Sequence, residues 1–167
     1  MSVKPNKTDL PLDHALHNEA CCNFLKADGL YLDWVVTTAF YAALHFLKHK
    51  AFPLNEDGQT HADFDSYCNY LKKRHHINST IHPHEVLRSL AERRFPKITV
   101  EYENLFDLCR TARYHNYKLD ERFVKEALND LAAIKKFCYN PTRNDQVLDD
   151  GEVEPPSVRK RARRPRI

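Results

Sequence analysis

Glycine is scarce: three residues in a chain of 167. A β-rich protein needs many turn positions at positive φ, so this scarcity argues against one. Long hydrophobic runs are missing as well. A bilayer span needs about eighteen consecutive apolar residues; the longest candidate here, Trp34 to Leu47, is interrupted by Thr37, Thr38 and His45 and reads as a core helix. No CxxC pair occurs. The five cysteines are odd in number, Cys21 and Cys22 are adjacent, and several fall at helical core positions. That pattern argues against a zinc–thiolate site or a disulfide frame and fits the reduced thiols of a cytoplasmic protein. The first residues place Lys4, Lys7 and Asp9 ahead of any apolar run, unlike the layout of a signal peptide.

What is present suits helices. Leu, Ala, Lys, Glu and Arg are plentiful, and the length is that of one domain with a single core. The expectation is an all-α protein. Its formal charge of +3 hides a segregation. Six of the eight residues from Arg159 to Arg166 are basic, whereas residues 141–158 hold five acids against Arg143 alone. Setting aside these blocks, +6 and −4, leaves about +1 for residues 1–140. Bulk charge therefore gives that part no strong attraction for nucleic acid, and any RNA contact must come from a local patch.

The chain divides into a loose arm over residues 1–11, a helical domain over 12–140 and a tail over 141–167. The tail lacks apolar rhythm, contains Pro155, Pro156 and Pro165, and is expected to be disordered. Within the domain, a first helix runs from Leu12 to Ala27 with Leu16, Ala20, Phe24 and Ala27 as its inward stripe, and Asp28-Gly29 ends it. A second runs from Asp33, as N-cap, to Lys50. Residues 52–59 read as a polar loop, and Thr60 as the cap of a third, weaker helix to Lys73. Pro83 opens a short helix to Arg94. The next spans Lys97 to His115, with Asn116 as its stop. Asp120 caps a last helix to Cys138, with Phe123, Ala127, Leu131, Ile134 and Cys138 facing in. No internal repeat is visible.

The stretch richest in chemistry is Asp107-Leu-Cys-Arg-Thr-Ala-Arg-Tyr-His-Asn-Tyr117. Arg110, Arg113 or Tyr114, and Tyr117 share one helix face beside the buried stripe. His115 lies five residues from Arg110, about 140° round an ideal helix. The two can meet if the helix loosens at Asn116 or if two subunits share the site. A helix C-terminus stabilises a cation, which suits a histidine that donates a proton near neutral pH. Arginine is always charged and can grip phosphate oxygens in pairs while negative charge develops. A His and an Arg so placed can support attack of an RNA 2′-hydroxyl on its neighbouring phosphate without metal. The same residues also suit a merely solvated, dipole-compatible helix end.

The run Asp33-Trp-Val-Val-Thr-Thr-Ala-Phe-Tyr-Ala-Ala-Leu-His-Phe-Leu47 resembles the second helix of HEPN domains, where a "W…AYYAALH" run is typical. The resemblance continues with His61 after the loop and with Arg110-Thr-Ala-Arg-Tyr114, and spans roughly residues 12–138. It implies an up-and-down helical bundle of about five to six helices. It also implies a metal-independent endoribonuclease with an Arg-x4-His motif, from Arg110 to His115. Two chains would pair as a homodimer so that both motifs line one composite cleft, cutting RNA to leave a 2′,3′-cyclic phosphate. By that resemblance His115 takes the acid/base role and Arg110 holds the phosphate, with Arg113, Tyr114, Asn116 and His61 in RNA-binding or supporting roles. No cofactor or metal is implied. The biological role would be that of a toxin or defence effector, paired with an antitoxin or a nucleotidyltransferase. The alternative is a non-catalytic HEPN module that binds a nucleotide or a partner nucleotidyltransferase; a third possibility is a purely structural helical dimer.

Other histidines carry two readings each. His61 suits either support of the cleft or an ordinary surface position at a helix start. His45, among Leu44, Phe46 and Leu47, suits a satisfied core or interface histidine. His75, His76, His82 and His84 lie across a connector with no HxxxH on a firm helix, which fits a hydrated loop beside Lys72, Lys73 and Arg74 better than a zinc site. That loop is also a candidate for RNA phosphates. The segment Lys160-Arg-Ala-Arg-Arg164 suits a basic arm that concentrates RNA, a localisation signal or a solubilising tail.

Overall fold

The computed structural model describes residues 10–74, 82–116 and 118–139. Six helices and one small hairpin account for them: α1 (Pro11–Asp28), α2 (Leu32–Ala51), β1 (Leu54–Glu56), β2 (Gln59–His61), α3 (Phe64–Arg74), α4 (Pro83–Arg94), α5 (Thr99–Tyr114) and α6 (Glu121–Cys138). The protein is an all-α bundle, and no helix among the described residues is long and apolar enough to cross a membrane. The tail from residue 141 and the histidines His75 and His76 lie outside the described residues.

The centre is α2. Val35, Val36, Ala39, Phe40, Ala43 and Phe46 are buried on successive faces, so this helix is apolar nearly all round, as a helix packed on several sides must be. It packs against α1, α6 and α5, while α5 also packs on α6 and α4 on α5. Two threonines sit inside this core at no cost in unpaired hydroxyls. Thr37 donates to the Asp33 carbonyl at 2.8 Å and Thr38 to that of Trp34 at 2.7 Å, one helical turn back. Asp33 is not the cap: the helix already begins at Leu32 after Tyr31, whose side chain makes no capping bond.

The first helix turns the opposite face inward from the one its spacing suggests. Ala15 and Cys22 are buried, with Leu12 and Leu25 half-buried, whereas Leu16, Ala20, Phe24 and Ala27 face out and Phe24 is 76% exposed. Two stripes compete on this helix, and close approach to α2 selects the smaller side chains. Cys22 Sγ comes within 3.4 Å of the Val35 carbonyl, a fit a phenylalanine could not make. The inward side also carries Glu19, whose carboxylate accepts from Lys135 of α6 at 2.7 Å. The helix ends as its sequence indicates, with Gly29 at φ 73° and its N–H on the Leu25 carbonyl.

Residues 52–61 are not a plain loop. Asp57 and Gly58, both at positive φ, close an antiparallel hairpin in which Leu54 lies opposite His61 and Glu56 opposite Gln59. An Asp-Gly pair suits such a tight turn. Thr60 is therefore a strand residue rather than a cap. The cap of α3 is Asp63: its carboxylate accepts the Ser66 N–H at 2.7 Å while its own N–H donates to Ser66 Oγ at 3.2 Å. The hairpin is braced to α3 and α4 through Glu56, which accepts from Tyr67 at 3.1 Å and from Arg93 at 3.0 Å.

In α4, Pro83 occupies the first turn, and Leu87, Leu90 and Ala91 are buried. In α6, Asp120 caps by accepting from the Arg122 N–H at 2.9 Å, and Ala127, Leu131, Ile134 and Cys138 face in. Phe123 does not: Val124, one position on, takes the buried place and Phe123 is 42% exposed. All five cysteines are unpaired and four are buried; burial raises the Cys138 thiol to about 12, out of the range of a nucleophile at neutral pH.

Candidate functional site: the end of α5 and the cavity beside it

Leu105, Cys109 and Ala112 anchor α5 in the core. Their neighbours on the outer side of the last two turns are Arg110, Arg113 and Tyr114, all exposed. The helix ends at Tyr114, so His115 is already its C-cap, with backbone φ −123° and ψ −44°. The loosening expected at Asn116 thus comes one residue earlier. The N–H groups of His115 and Asn116 both donate to the Thr111 carbonyl, at 3.0 and 2.9 Å. Asn116 terminates the turn through its side chain, whose oxygen accepts the Lys118 N–H at 3.0 Å.

Five of the six candidate residues, Arg110, Arg113, Tyr114, His115 and Asn116, therefore cluster at one solvent-facing helix end. Arg110 and His115 side chains form no hydrogen bond or ion pair with each other or with any other described residue, and both are exposed. Arg113 is pinned instead. Its Nη1 donates to Tyr41 Oη at 3.0 Å, and its guanidinium lies 5.0 Å from the centre of the Tyr114 ring. Tyr117 lies outside the described residues.

His61, the sixth candidate, is elsewhere. It stands on β2, is 5% exposed, and packs against Tyr67 and Tyr70 with ring centres 5.2 and 4.6 Å away. It is neither a surface residue nor at a helix start, and its Nε2 is buried without a hydrogen-bond partner among the described residues. Its contacts belong to the hairpin and α3, not to α5.

Through Tyr41, Arg113 leads to a feature the sequence reading did not assemble. A cavity of about 150 Å³ lies between α2, α3 and α4, lined by Tyr41, Leu44, His45, Lys48, Phe64, Pro83, His84 and Leu87. Its polar groups are held in unusual states. Burial pushes His45 down to about 4, helped by Lys48 and by His14, whose ring stacks on it at 4.9 Å. His84 is lowered by burial and then by Lys48 and Arg113, and the Lys48 ammonium is lowered chiefly by burial. Both imidazoles are therefore neutral at neutral pH, and the Nδ1 atom of each is buried with no hydrogen-bond partner among the described residues. So His45 is not the satisfied core histidine its neighbours suggested. Lys48 lies 4.4 Å over the Phe64 ring and makes no ion pair among the described residues. One signal for this set was in the sequence: Tyr41, His45 and Lys48 follow at i, i+4 and i+7 on α2, a polar stripe on an otherwise apolar helix.

No group of three His, Cys, Asp or Glu side chains suited to a metal ion occurs among the described residues. His84 belongs to the cavity and His82 is exposed just before α4, so these two do not converge on a common point. No protein-family model, curated protein or solved structure matches the chain. The chemistry must be read from the residues themselves. An exposed arginine and histidine at a helix C-terminus can bind and protonate an oxyanion, and the neighbouring cavity can take a small ring with polar edges.

Proposed function

We propose that this chain is a HEPN-type, metal-independent endoribonuclease that acts as a homodimer. The observation that carries the reading is the pair Arg110 and His115, both exposed and without side-chain partners among the described residues at the end of α5, beside Arg113 held against Tyr41. An exposed guanidinium beside an exposed imidazole at a helix end offers a phosphodiester a bidentate donor and a proton-transfer group. In the reaction a neutral His115 takes the ribose 2′-hydroxyl proton as O2′ attacks the adjacent phosphorus. Arg110 holds the phosphate oxygens as charge builds on them. The bond from phosphorus to O5′ breaks, and the leaving oxygen takes a proton from the protonated His115 of the second chain. The products carry a 2′,3′-cyclic phosphate and a 5′-hydroxyl. A toxin or defence role, with an antitoxin or nucleotidyltransferase as partner, is the setting such an activity suits.

Incubating the purified protein with assorted RNAs, with and without EDTA, tests this. Cleavage unchanged by EDTA, cyclic-phosphate ends and a dimeric active species are the expected results. Absence of cleavage across RNAs would overturn the catalytic reading. The second reading is a nucleotide-binding module without turnover. What favours it is the cavity beside Tyr41, with two unpartnered imidazole nitrogens and a lysine. Under that reading nucleotide binds, RNA stays intact, and substituting His115 alters affinity alone.

A further inference from the structure

The Tyr41–His84 cavity is not accounted for by the cleavage chemistry at Arg110 and His115. We propose that it receives one pyrimidine base of the bound RNA, next to the nucleotide whose phosphate Arg113 and Arg110 hold. This inference rests on the RNA-cleavage reading and gives that site a substrate preference.

Size, walls and polar atoms each narrow the ligand. A volume of about 150 Å³ is small for a whole nucleotide and sufficient for one ring. The walls contributed by Tyr41, Phe64 and Leu87 are aromatic or aliphatic. Such walls suit a flat ring and give a bare phosphate ion little. Against them stand the Nδ1 atoms of His45 and His84, buried and without a hydrogen-bond partner among the described residues, and the Lys48 ammonium, which lies 4.4 Å over the Phe64 ring. A purely apolar ligand would leave both imidazole nitrogens unsatisfied. A pyrimidine satisfies both demands: its faces lie on the walls, its in-plane nitrogen edge meets the imidazoles, and a carbonyl oxygen accepts from Lys48. Reading an unstacked base between aromatic rings by its edge is how single-stranded RNA is generally recognised.

The link to the reactive end is physical. Tyr41 lines the cavity and its hydroxyl accepts from Arg113 at 3.0 Å, so one hydrogen bond separates the base pocket from the arginine-rich helix end. His84 lies 6.4 Å from the Tyr41 ring and feels the Arg113 charge. A base seated in the cavity would bring the phosphate of the adjacent nucleotide toward that arginine.

Two measurements on the full chain test the idea. The first is an NMR titration with UMP, CMP, AMP, GMP and inorganic phosphate, following the imidazole resonances of His45 and His84. UMP or CMP should move both resonances and bind at least tenfold more tightly than AMP or GMP, while inorganic phosphate should leave them in place. The second maps cut sites in an RNA of randomised sequence. Cuts should fall next to pyrimidines at least tenfold more often than next to purines, and His84→Ala and Lys48→Met should each flatten that preference. Equal response to all four nucleotides, or shifts with inorganic phosphate alone, would overturn the base pocket. If RNA is cut without base preference and the histidines stay silent, the pocket fails and the cleavage reading stands. If UMP moves both histidines but no RNA is cut, the cleavage reading fails and the pocket stands as a nucleotide site.

Discussion

The end of α5 and the cavity beside α2 are built from similar residue types in opposite surroundings. At the end of α5, Arg110 and His115 stand in solvent with no side-chain partner among the described residues, beside Tyr114, whose ring carries the Arg113 guanidinium. In the cavity, Tyr41, His45, Lys48 and His84 are drawn part-way into the bundle, where burial lowers both imidazoles and the ammonium. The first region presents its side chains to solvent, where a charged ligand can reach them. The second suppresses charge and offers shape with a few unsatisfied polar atoms. One arginine joins them, because Arg113 belongs to the first by sequence and to the second by its bond to Tyr41. On the reading proposed above, the two would divide the work, with phosphate chemistry outside and ring recognition inside.

Several substitutions can break or sharpen that contrast. The largest effect should come from Arg110→Ala on cleavage. Losing a group that stabilises developing charge costs about a hundredfold or more in rate, while the fold should shift by no more than about 0.5 kcal/mol for so exposed a site. Leu87→Ala, on the cavity wall and 1% exposed, should do the reverse to the fold. A buried leucine truncated to alanine loses about 2–5 kcal/mol, read as a fall in the urea midpoint. If the two variants behaved alike in stability, the contrast between open and enclosed regions would be lost.

A smaller effect is expected from pH. His45 titrates at about 4 in the folded protein, below its value near 6.5 when unfolded. The unfolded chain therefore takes up the extra proton as pH falls, and the contribution of His45 is fully present above about 6.5 and lost progressively toward 4. Urea melts at several pH values should show this loss, and His45→Gln should reduce the slope across that window. A variant with the wild-type slope would show that His45 is not held neutral by its surroundings. The smallest effect concerns the face of α1. Phe24→Ser should change stability by no more than about 0.5 kcal/mol, whereas Ala15→Phe, on the fully buried side, should cost about 1–3 kcal/mol by overpacking.

The same contrast governs how much could be read in advance. Helix signals are local, so Asp28-Gly29, Pro83 and Asp120 mark their boundaries correctly, and the six helices lie close to where periodicity puts them. The arginine–histidine cluster was legible for the same reason, since its residues are neighbours on one helix. Which face of α1 turns inward was not, because two stripes fit its period and only contact with α2 decides between them. The hairpin was missed although Asp57-Gly58 announced its turn; strands of three residues have no periodicity to detect. The cavity was hidden for a different reason. Its residues come from α2, α3 and α4, and nothing in a one-dimensional pattern says that His84 and His45 will line one cavity.

The central claim is that His115 at the end of α5 performs acid–base chemistry on RNA. The most direct test compares wild type with His115→Ala on the same RNA, in EDTA, after matching their far-UV circular dichroism and oligomeric state. The account predicts that wild type yields fragments ending in 2′,3′-cyclic phosphate and that His115→Ala cuts at least about a hundredfold more slowly, the scale of a lost general acid–base group. Equal cleavage by the two proteins, or none by either, would contradict it.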